Sequence, residues 1–71
     1  MWTMRFRDQA GYVTRDVGLP EARTSAAAVK TLRAEIHAAT EPRGEIVDDE
    51  SQRTVRAFER TEAGRVMEVR A

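Results

Sequence analysis

The residues of this chain whose types could do chemistry are few: one histidine, His37, two serines, Ser25 and Ser51, and the acidic run Asp48-Asp49-Glu50. A histidine acting as general base needs a carboxylate to orient its ring and a nucleophile at the other ring nitrogen. Ser25 falls at an expected helix cap and Ser51 in an expected turn, so the spacing predicts no triad and no catalytic residue. The acidic run offers the oxygens that calcium and magnesium take, yet the following glycine and distal glutamate of an EF-hand loop are missing. A hydrated hairpin turn is the expectation, with no metal. Four scattered glycines make no loop that cradles phosphate, and no cofactor is expected.

What remains is cationic. Lys30, Arg33 and His37 recur at i, i+3 and i+7, the spacing of one stripe along a helix. Such a stripe is either a solvated face or a surface for an acidic protein or a phosphate backbone. Arg5, Arg7, Arg56 and Arg60, interleaved with Tyr12 and Phe58, make a second set expected on one sheet face. Arginine beside an exposed aromatic stacks bases or anchors a protein interface. The competing reading pairs these arginines with Glu59, Glu62 and Glu68 across strands, which contributes only fractions of a kcal/mol per pair.

The elements that must position these groups follow from periodicity. Trp2, Met4 and Phe6 alternate with Thr3, Arg5 and Arg7, the period of a half-buried strand. Asp8-Gln9-Ala10-Gly11 has turn chemistry and Tyr12–Val17 is strand-like, so the two segments predict a hairpin, with Val13, Arg15 and Val17 on one face. Gly18-Leu19-Pro20 breaks the strand, and Thr24 or Ser25 caps a helix over Ala26–Ala39 that stacks Val29, Leu32 and Ile36 along one side. Glu41-Pro42-Arg43-Gly44 ends it, with Gly44 read as a sharp turn. Strands are then expected at Glu45–Val47, Arg53–Arg60 and Arg65–Arg70, the last with Met67 and Val69 on one side. An alternative makes residues 51–63 a second helix; the β-branched Thr54, Val55 and Thr61 and a sparse apolar stripe favour strand.

The result is one α+β domain over residues 1–71: a single antiparallel sheet, β-β-α-β-β-β, with one helix packed on one face. Its length suits a single small core. The open sheet face and two edge strands are the candidate binding surfaces. A balance of 12 basic against 12 acidic side chains argues against a protein built mainly to hold nucleic acid, which needs a cationic surplus. The absence of cysteine excludes disulfides and thiolate metal sites. Apolar runs are too short for a membrane span, and the charges within Trp2–Val17 do not suit a signal peptide, so a cytoplasmic protein with no membrane partner is expected.

From Asp8 to Ile36 the order of residues resembles the front of HicB-type antitoxins. Gly11-Tyr12-Val13 opens a second strand, Leu19-Pro20 and Arg23-Thr24 follow, and a helix carries Ala28, Leu32 and Ile36. The strand that such antitoxins place between the Leu-Pro turn and the helix has no counterpart in this chain. The whole topology is similar to small phage-encoded anti-CRISPR proteins, a likeness of architecture and size. Both resemblances imply a small masking protein from a phage or mobile element, acting on a ribonuclease or a ribonucleoprotein. The expectation is a non-enzymatic inhibitor that covers a protein or ribonucleoprotein partner. A small nucleic-acid-binding regulator is the alternative, and edge pairing would permit a homodimer.

Overall fold

The computed structural model describes residues 1–71, as β1 (Trp2–Arg7), β2 (Val13–Leu19), α1 (Ser25–Ala38), β3 (Arg43–Asp48), β4 (Arg53–Arg60) and β5 (Val66–Val69). The strands lie in the order β2-β1-β3-β4-β5, and every neighbouring pair is antiparallel. β2 and β3 therefore run parallel on either side of β1, and α1 is the crossover that joins them. Residues 53–60 form a strand; no second helix forms over 51–63.

Met4 and Phe6 from β1, Ile46 from β3 and Phe58 from β4 meet Ala28, Val29, Leu32 and Ile36 of α1 in one buried cluster. Trp2, Val17, Leu19 and Val66 pack around its margin. This is the layer predicted by the alternation of β1 and the i, i+3, i+7 stripe of the helix.

Gly44 does not form a turn. It lies inside β3 between Phe6 and Phe58, and a Cβ there would stand 2.6 Å from Leu32 Cδ1 and 3.4 Å from Ile36 Cδ1. The missing side chain lets the helix seat closely on the sheet centre, so this glycine serves packing rather than backbone freedom.

Both helix ends are satisfied by side chains. Thr24 is the N-cap, its Oγ1 accepting from the Ala27 N–H at 3.1 Å. At the other end the Arg60 guanidinium donates to the carbonyls of Ile36, Ala39 and Glu41, groups that have no helical partner.

Two bulges change which face residues occupy. In β2, Phe6 faces Arg15 but Arg7 faces Val13, leaving Thr14 as the extra residue. Arg15 and Val17 thus lie on the helix side, while Val13 lies on the open side instead of sharing their face. In β4, Ile46 faces Arg56 and Val47 faces Thr54, so Val55 is the extra residue.

Candidate partner-binding surfaces

The open face is a lattice of opposite charges on neighbouring strands. Arg5 grips Asp16 through two hydrogen bonds of 2.9 and 3.3 Å, which raises the arginine pKa further. Arg7 donates to Glu45 at 2.8 Å and to the Gly11 carbonyl at 2.8 Å. Thr54 donates to the second Glu45 oxygen at 2.9 Å. Glu45 is thereby buried on the central strand without an unsatisfied oxygen, as burial of a carboxylate requires. Arg43 stands 3.7 Å from Glu59, a looser pair.

Arg56 and Arg60 are not on this face. Phe58 belongs to the core under α1, and the period of two carries its neighbours at 56 and 60 to the helix side with it. Arg56 makes a bidentate pair with Glu68, at 2.8 and 2.7 Å, and its guanidinium carbon lies 5.4 Å from the Phe58 ring centroid. The hydrogen bonds from Arg56, with its charge and that of Arg33, hold the Glu68 carboxyl below the usual range. Arg60 is committed to the helix end. The expected four-arginine face with exposed Phe58 is thus divided between the two sides of the sheet.

The helix stripe is as predicted in position. Lys30, Arg33 and His37 are all exposed, and none of them forms an ion pair. Arg33 lies 5.3 Å from the Phe58 ring centroid, which orients the stripe toward the β4–β5 side of the sheet. Tyr12, 74% exposed, stands just before β2, where the Asp8 carboxylate accepts from the backbone N–H groups of Ala10 and Tyr12. The Asp48 turn is built the same way, with its carboxylate accepting from the Glu50 N–H and the Ser51 hydroxyl. Asp49 accepts from Thr3 at 2.6 Å.

One cluster escaped sequence reasoning. The buried Glu41 carboxylate accepts from the Thr14 hydroxyl at 2.6 Å and from Arg15 at 3.0 and 3.4 Å, tying the α1–β3 connection to edge strand β2. These hydrogen bonds, Arg15 first and Thr14 second, pull its pKa from 4.5 down to about 2. Arg15 also covers the Phe6 ring at 4.0 Å. Beside Pro42, Glu41 reads in sequence only as a helix stop; its partners lie across a bulge that no local pattern announces.

Two open depressions mark the surface. One of about 810 Å³ is lined by polar and charged groups, among them Asp8, Glu41, Arg43, Glu59 and Glu62. The other, about 320 Å³ on the open face, places Arg7, Arg43 and Arg70 among Glu45, Glu59 and Val69. His37 lines neither. The first sets four acids against two arginines, Arg43 and Arg60, and the second sets three arginines against two glutamates. No family model, curated protein or solved structure matches this chain. No helix is long and apolar enough to cross a membrane.

Proposed function

We propose that this chain is a small binding protein that acts by covering a surface of a macromolecular partner, a protein or ribonucleoprotein, with no reaction of its own. The observation that carries the reading is the run of large apolar side chains left uncovered at the sheet edges. Met67 and Val69 on β5 are 50% and 37% exposed, and Tyr12 and Val13 are bared at the opposite edge. Apolar groups beside an unpaired strand are a liability in a solitary molecule and an asset in an interface. The inhibitor role suggested by the antitoxin and anti-CRISPR resemblances agrees with this reading. Affinity capture from the native host with mass spectrometry tests it. A nuclease or RNA-guided complex that re-forms a defined complex from purified components supports it, and a chain that stays alone contradicts it.

A second reading, a nucleic-acid-binding regulator, draws on the exposed and unpaired Lys30, Arg33 and His37. It requires binding of DNA or RNA that weakens steeply with salt. Absence of any shift at low salt removes it.

A further inference from the structure

Edge strand β5 carries a bare hydrogen-bonding rim. The Thr61 N–H donates to the Arg65 carbonyl at 2.8 Å, and Met67 and Val69 sit opposite Glu59 and Ala57. Backbone groups along a strand point alternately to its two sides. Arg65, Met67 and Val69 therefore bond toward β4, and the N–H and C=O groups of Val66 and Glu68 point outward. No bulge interrupts the β4–β5 register, whereas β2 at the other edge is bulged at Thr14 and fastened to Glu41.

The two sides of this rim differ in character. On the open side stand the exposed Met67 and Val69. On the helix side Arg33 and Arg56 flank Phe58, Lys30 and His37 extend the helix stripe, and Glu68, the acid among them, already has both oxygens on Arg56. The geometry points to β5 as the docking edge for an extended segment of a partner protein that adds as a sixth strand. That segment alternates acidic side chains toward Arg33 and Lys30 with apolar ones over Met67 and Val69. A second copy of this chain is the poorer occupant. Antiparallel self-pairing brings two sets of Arg33 and Arg56 to the same side, and the register centred on Glu68 sets that carboxylate against its twin. The inference rests on the reading of the chain as a binding protein and adds the edge and the chemistry of the bound segment.

The test uses the whole chain, labelled with ¹⁵N, and the peptide acetyl-Glu-Val-Glu-Val-Glu-Val-amide. A peptide with lysine in place of glutamate and a short single-stranded oligonucleotide are the controls. The acidic peptide is expected to shift the amides of Val66 and Glu68 and protect them from solvent exchange, with a Kd of roughly millimolar or tighter. Arg33→Glu, an exposed helix substitution, weakens it by about threefold, the scale of a partly screened ion pair. Val66→Pro, which removes an outward N–H, abolishes it. No response at Val66 and Glu68, equal binding of the lysine peptide, or displacement by the oligonucleotide each overturns the inference. So does a free protein of dimeric mass with those two amides already protected. Full capture of a partner by Val66→Pro removes the edge from the account and leaves the binding reading standing. Failure of capture by every form, with the peptide still seated on β5, does the reverse.

Discussion

Glu41 gives the sharpest quantitative prediction. Its carboxylate joins the α1–β3 connection to Thr14 and Arg15 of β2, and Glu41→Gln removes the charge while keeping the shape. In the folded chain the group titrates at about 2 instead of 4.5. At about 1.4 kcal/mol per pH unit that difference sets a ceiling of roughly 3 kcal/mol. The Arg15 side chain is 45% exposed, so solvent screening reduces the contribution to about 1–2 kcal/mol. Because the folded value is the lower one, the stabilisation is fully present above the ordinary carboxylate range and disappears as pH falls toward 2. Urea denaturation followed by circular dichroism at pH 7, 5, 3 and 2 should therefore show Glu41→Gln less stable by about 1–2 kcal/mol at neutral pH. In a chain of this size that is a fall in Tm of roughly 5–15 °C. The two proteins should converge at the acid end. A difference that is constant across the pH range, or absent at pH 7, refutes the assignment of this ion pair as the fastening of β2.

Other substitutions test the packing and caps. Gly44→Ala should cost about 1–3 kcal/mol in urea, since its Cβ collides with a fully buried Leu32, and less in a Leu32→Ala background where the space has been vacated. Arg60→Met should cost about 2–3 kcal/mol by stranding three carbonyls at the helix end, against under about 1 kcal/mol for Arg43→Met, whose loose ion pair is exposed. Thr24→Ala should lower stability by about 1 kcal/mol, with Thr24→Ser restoring most of it.

The fold was legible wherever a period of two or 3.6 ran undisturbed. β1 and β4 keep a large aromatic on the buried side, and α1 repeats its apolar stripe from Val29 to Ile36, so strand, helix and the two-layer contact followed from local pattern. Legibility failed at non-local features. That β1 sits between β2 and β3 is a fact of pairing, and it alone brings Glu45 beside Arg7 and buries it. The bulge at Thr14 separates Val13 from Val17, and no residue there signals it. Gly44 reads as a turn because glycine usually supplies backbone freedom; its need here is set by Leu32 on another element. The division of the arginines was within reach of sequence. Phe58 is the one large aromatic of β4, and giving it to the core moves Arg56 and Arg60 away from Arg5 and Arg7 by parity.

The central claim, action by coverage, is tested most directly by titrating the purified partner's activity with this chain. Coverage predicts inhibition that grows linearly with added protein, ends at a fixed molar equivalent and reverses when the complex dissociates. Complete loss of partner activity at a small fraction of an equivalent, persisting after the chain is removed, would mean turnover and contradict the account.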